Sequence, residues 1–187
     1  MWGADGAYLF HAVECGASPA AGLDLMVATP GFDARNAALR EPVRFVRGDI
    51  NDPDIERLVG TFDVVFCAGV LYHVPDPLHT LAQLRRICRQ HLILSSATIE
   101  ETNVPQGAVF LPGLSGAERE RLTYRTRRRK VGLEGFRPER GYGNWFWLLT
   151  PSCLTALLTT AGFRVDEVHR YRWVTTAVCR ADVSPPS

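Results

Sequence analysis

The chain has 187 residues, 46% of them hydrophobic and 22% charged, with a formal net charge of +1. That length suits one globular domain with its own core, and the near-neutral balance argues against a globally basic nucleic-acid binder while leaving room for a local basic patch. Cys15, Cys67, Cys88, Cys153 and Cys179 are widely spaced, without the Cys-x-x-Cys spacing of zinc sites, so the expectation is no metal and the reduced thiols of a cytoplasmic protein. No apolar run reaches membrane-spanning length and no secretory leader opens the chain, so no membrane partner is expected.

Ala7–Ala17 has helical spacing and stops at Gly16; Ala20–Met26 is a short apolar strand containing Asp24. Asp33–Arg40 can form a helix, Val43–Val46 a strand running into Gly48-Asp49, and Asp54–Val59 one helical turn or two. Phe62–Ala68 is apolar, β-branched and too short for a helix, so it reads as a strand buried on both faces. It empties through Gly69 into Tyr72-His73-Val74-Pro75-Asp76-Pro77, a loop carrying an aromatic hydroxyl, an imidazole and a carboxylate. A helix follows over Pro77–Arg89, with proline at its first position, and then a strand over His91–Ser95.

This alternation of short strands and helices predicts parallel βαβ units, in which ligands bind outside the carboxyl ends of the strands. Residues 98–144 break the pattern with Gly and Pro punctuation and one basic helix candidate, Ala117–Val131. Thr150–Ala161 resumes it as a helix opened by Thr-Pro-Ser and closed by Gly162. Phe163–Tyr171 and Trp173–Cys179 form a closing antiparallel hairpin, and residues 184–187 read as a disordered tail.

Taken together, a Gly-x-x-Gly turn, Gly22-Leu23-Asp24, Gly48-Asp49-Ile50, the Phe62-Asp63-Val64-Val65 to Gly69-Val70-Leu71-Tyr72-His73 block and Ala161-Gly162-Phe163 resemble the class I S-adenosylmethionine (SAM) dependent methyltransferases over nearly the whole chain. The resemblance implies an α/β, Rossmann-like sheet in one domain spanning 1–183, with a carboxyl-terminal antiparallel hairpin and a lid inserted at 98–144, after the fifth strand. It implies SAM as cofactor, with Asp24 accepting from the ribose hydroxyls, Asp49 and Ile50 at the adenine, Gly3 and Gly6 at the methionine end, and Ala68 and Gly69 completing the set. The chain opens inside the turn that follows the family's first strand, so a truncated amino terminus, with that strand largely missing, is expected.

Gly69-Val70-Leu71-Tyr72-His73 followed by Asp76-Pro77-Leu78 is similar to the subgroup containing the tRNA wobble-uridine carboxymethyl transferase. In that enzyme the tyrosine helps hold an extra carboxylate on the cofactor. Ser95-Ser96 stands where those relatives carry Glu-Thr, which favours plain SAM.

On the substrate side His73 is the candidate base, because an imidazole titrates near working pH, and Tyr72 can orient the acceptor or contact a cation through its ring. The plain alternative for both is a capped loop whose rings only pack. Asp76 reads as a helix cap and His79 as solvent-facing. In the lid, Arg125 and Arg128 belong to a basic cluster that is either a solvated helix face or a site for phosphate or RNA, and Tyr142 and Trp145 can stack a planar acceptor. The expected acceptor is a small molecule methylated on oxygen or nitrogen. A tRNA-modifying enzyme and a non-catalytic binding module are the alternatives, and the oligomeric state is left open.

Overall fold

The computed structural model describes residues 5–122 and 135–182. The chain divides into two compact units, Met1–Thr61 and Phe62–Ser187.

In the first unit α1 (Ala7–Glu14), β1 (Ala21–Asp24), α2 (Pro30–Ala37), β2 (Arg44–Arg47) and α3 (Ile55–Val59) follow one another. β1 and β2 are parallel, with Ala21 opposite Arg44 and Asp24 opposite Arg47. Phe10 of α1, Phe32 of α2 and Val43 make the buried cluster, and Phe32 lies 5.1 Å, ring to ring, from both Phe10 and Phe45. α2 begins three residues earlier than expected. Thr29 caps it by accepting from the Phe32 amide at 3.1 Å, and Pro30 occupies the first turn, where its missing N–H costs nothing.

In the second unit the strand order is β3 (Phe62–Ala68), β4 (Cys88–Ala97), β8 (Val174–Ala181), β7 (Phe163–Tyr171). β3 and β4 are parallel, and both other pairings are antiparallel, so the expected carboxyl-terminal hairpin is present. The parallel pair is joined by α4 (Pro77–Ile87), which buries Leu81, Leu84 and Ile87. Each such side chain contributes about 1.5–3 kcal/mol when fully buried. Asp76 caps α4 by accepting from the His79 amide at 2.9 Å, and His79 is exposed, as the sequence predicts for both. α6 (Pro151–Thr160) is capped by Thr150 and buries Leu154 and Leu158.

The described part of the insertion holds more regular structure than its composition predicts. β5 (Ala108–Phe110) pairs antiparallel with β6 (Trp147–Leu149), and Ile99, Leu111 and Leu148 form a small core of their own. α5 (Gly116–Leu122) covers the start of the expected basic helix; the rest of that helix lies outside the described residues. The described strands make three separately hydrogen-bonded sheets, and none of them pairs with the outer edge of β1 or of β3.

Candidate functional site

In the first unit, the parallel pairing of β1 and β2 brings two acids to adjacent strand ends. Asp24 is the last residue of β1, and its carbonyl accepts from the Gly48 amide at 3.0 Å. Asp49 follows directly. Each carboxylate is held by a local turn: Asp24 Oδ1 accepts from the Met26 amide at 2.9 Å and Asp49 Oδ1 from the Asn51 amide at 2.8 Å. Asp24 is buried, Asp49 and Ile50 are half-buried, and Asp49 Oδ2 makes no hydrogen bond to a described residue. Gly48 lets α3 approach closely, since a Cβ there would lie 2.8 Å from Leu58 Cδ2.

Sequence reasoning missed the residues beside Asp24. Leu25, Met26 and Val27 are 45%, 52% and 61% exposed, an apolar run on the surface directly after a strand-ending acid. Its signal in the sequence was that hydrophobicity continues past the acid that ends the strand.

Gly3 lies outside the described residues. Gly6 is the residue before α1, with φ of 68°, and a Cβ on it would fall 2.5 Å from Phe32 Cδ2 and 2.8 Å from Phe10 Cε2. Packing and backbone conformation alone demand glycine there.

In the second unit β3 ends at Ala68, and Gly69 turns the chain with φ of 72° while its amide donates to the Ser95 carbonyl at 3.0 Å. A single 3₁₀ turn, Leu71–His73, follows. It sets the Tyr72 hydroxyl over Gly69, 3.4 Å from where a Cβ would stand, and turns the His73 ring inward, 6% exposed. The last residue of the insertion and those that follow it clasp this loop at three points. His73 Nδ1 donates to the Asn144 carbonyl at 2.7 Å, the Phe146 amide donates to the Tyr72 carbonyl at 2.8 Å, and Trp147 Nε1 donates to the Pro75 carbonyl at 3.0 Å.

The rings of Tyr72 and Trp145 lie 4.2 Å apart, with His73 4.4 Å from Tyr72 and edge-on to Trp145 at 5.8 Å. Burial lowers the His73 pKa from its ordinary value, partly offset by the bond to Asn144, and burial raises that of Tyr72. The imidazole is therefore neutral at working pH. Neither His73 Nε2 nor the Tyr72 hydroxyl hydrogen-bonds a described residue. On β3 the Cys67 thiol is pushed up to about 12 by burial and is inert.

The structure thus gathers Tyr72, His73, Gly69 and Trp145 in one cluster, and Asp24, Asp49 and Ile50 in another. Tyr142 belongs to the 3₁₀ segment Pro138–Gly143 that leads into Asn144, while Arg125 and Arg128 lie outside the described residues. Trp147 packs on Phe110 in the β5–β6 pair, 4.8 Å ring to ring. Among the described residues no three His, Cys, Asp or Glu side chains group as a metal site.

A family model described as a methyltransferase domain matches residues 3–168. The tRNA U34 carboxymethyltransferase of Wolinella succinogenes is 42% identical over 53 residues, which cover 28% of this chain and 18% of that enzyme. Among solved structures, a 1,6-didemethyltoxoflavin-N1-methyltransferase from Burkholderia thailandensis, with bound 1,6-didemethyltoxoflavin and S-adenosylhomocysteine, superposes with a TM-score of 0.63 at 18% identity, covering 95% of this chain and 67% of that one. An S-adenosylmethionine dependent methyltransferase from Mesorhizobium loti gives 0.60 at 18% identity, with 94% and 86% covered. At these identities the likeness is one of fold, the Rossmann-like α/β fold of class I methyltransferases.

Proposed function

The chain belongs to the methyltransferase domain family, and from that premise we propose that it transfers the methyl group of SAM to an oxygen or nitrogen of a small, planar acceptor. The observation that carries the cofactor half of this reading is the pair of acids at adjacent strand ends. Two carboxylates one strand apart supply acceptors for a vicinal diol and for an exocyclic amine, and the exposed Leu25–Val27 run supplies an apolar surface for a flat base. These residues fit a nucleoside. SAM supplies an electrophilic methyl group on a sulfonium; the chain's work is to place the acceptor, exclude water and take a proton.

His73 is suited to that last task. It is enclosed and neutral, with a ring nitrogen that has no protein partner among the described residues. Tyr72 packs on Trp145, 4.2 Å ring to ring, and this aromatic pair beside His73 supports a planar acceptor. Enclosure at 6% exposure favours a small acceptor over a duplex surface. The insertion over 98–144 acts as the substrate-side cover.

A second reading, a tRNA acceptor, is supported by the segment 42% identical to the carboxymethyltransferase. Incubation with methyl-labelled SAM, against planar heterocycles bearing N–H or O–H groups and against tRNA, tests both. Label in the small-molecule fraction, lost in His73→Asn, is expected. Label in tRNA overturns the acceptor, and SAM binding without transfer to either reduces the chain to a binding module.

A further inference from the structure

The His73 carbonyl partner belongs to a residue whose side chain is otherwise fully occupied in shaping its own turn. Asn144 is 3% exposed. Its Oδ1 accepts from the Arg137 amide at 2.9 Å, and its Nδ2 donates to the Arg137 carbonyl at 2.7 Å and to the Gly141 carbonyl at 3.0 Å. The Asn144 amide also donates to the Gly141 carbonyl, at 3.2 Å. The exchange with Arg137 copies a backbone ladder pair and closes residues 137–144 into one turn. Gly141 completes it with φ of 49° and ψ of −125°, a conformation open to glycine. The Asn144 carbonyl is then left to face His73.

A peptide oxygen can only accept, so His73 Nδ1 must carry a proton in both charge states of the ring. The neutral imidazole therefore presents a bare Nε2. The residue is buried and that nitrogen makes no hydrogen bond to a described residue, which leaves it open to the donor of a bound molecule.

We propose that Asn144 is a positioning residue for His73: its side chain braces the 137–144 turn so that its own carbonyl locks the imidazole as the Nδ1–H tautomer, with Nε2 directed at the N–H or O–H of the acceptor. When that group reacts, its heteroatom–hydrogen bond breaks, a bond from Nε2 to the proton forms, and the freed electron pair stays on the heteroatom, which takes the methyl group as the methyl–sulfur bond of the sulfonium breaks with its electron pair left on sulfur. The inference rests on reading His73 as the base.

The test separates the two. Long-range ¹H–¹⁵N correlation of histidine-labelled full chain, without SAM or acceptor and with His73 assigned by its absence in His73→Asn, reads the tautomer directly. Wild type is expected as the Nδ1–H form alone. Asn144→Ala is expected to mix tautomers and to lower kcat about tenfold or more, with KM for SAM unchanged. Asn144→Asp sets a carboxylate oxygen against the Arg137 and Gly141 carbonyls in place of both Nδ2 donors, and is expected to lose at least as much as Asn144→Ala. A wild-type His73 in the Nε2–H form overturns the proposal without any variant. So does an Asn144→Ala protein that retains a pure Nδ1–H ring and a kcat within about twofold of wild type. Absence of methyl transfer in every protein, with the tautomers as expected, overturns the functional reading and leaves the positioning role standing.

Discussion

Replacing Gly6 with alanine separates a glycine kept for packing from one kept for a ligand. The backbone at Gly6 has φ of 68°, where an L residue costs about 1–2 kcal/mol. The added methyl would also meet Phe32 Cδ2 at 2.5 Å and Phe10 Cε2 at 2.8 Å, in a cluster with Val43 that anchors the first unit. Forcing an extra carbon into such a core costs about 1–3 kcal/mol more. Gly16 provides the control: its φ is 94° and nothing lies within 4 Å of a Cβ there. Urea denaturation of the ligand-free chain should therefore show Gly6→Ala destabilised by about 2–5 kcal/mol and Gly16→Ala by about 1–2 kcal/mol. The gain in unfolded-state rigidity is common to both variants and cancels in the comparison. Equal losses in the two variants, or a stable Gly6→Ala that loses only SAM affinity, would refute the packing argument.

Other outcomes follow from the same physics. Burial lowers the His73 pKa in the folded chain, so between that lowered value and about 6.5 the unfolded chain binds more protons and stability rises with pH. Denaturation midpoints should thus fall as pH drops below about 6.5, and His73→Asn, which keeps a donor but does not titrate there, should flatten the difference. Thr150 is fully buried, caps α6 at the Cys153 amide and donates to the Gly107 carbonyl at 3.0 Å. Thr150→Ala should cost about 1–2 kcal/mol in thermal or chemical melts, with Thr150→Ser recovering most of it.

Where an element carries its own start signal, it was legible in the sequence. Asp76-Pro77 and Thr150-Pro151 announced α4 and α6, and the apolar run of β3 ends at Ala68 as expected, but Val64 and Phe66 are exposed, so the strand is not buried on both faces. Thr29-Pro30 carries the same signal, and placing α2 from Asp33 overlooked it. β5 and β6 have three residues each and owe their form to one another and to the Ile99–Leu111–Leu148 core, so no local pattern betrays them. At the site, Tyr72, His73 and Trp145 were found through the loop they share with β3 or through their aromaticity. Asn144 was not, because its part lies in a main-chain carbonyl and in bonds to Arg137 and Gly141 that only the folded turn creates.

Calorimetric titration of SAM and of S-adenosylhomocysteine into the wild-type chain and into Asp24→Asn tests the central claim most directly. The asparagine can still accept from the Met26 amide, so the turn survives while the charge is lost. Saturable binding by wild type, weakened about 10- to 100-fold in Asp24→Asn, is the predicted result, since a hydrogen bond to a charged group is worth about 1.5–3 kcal/mol. No binding by a folded wild-type chain, or equal affinity in the two proteins, would contradict it.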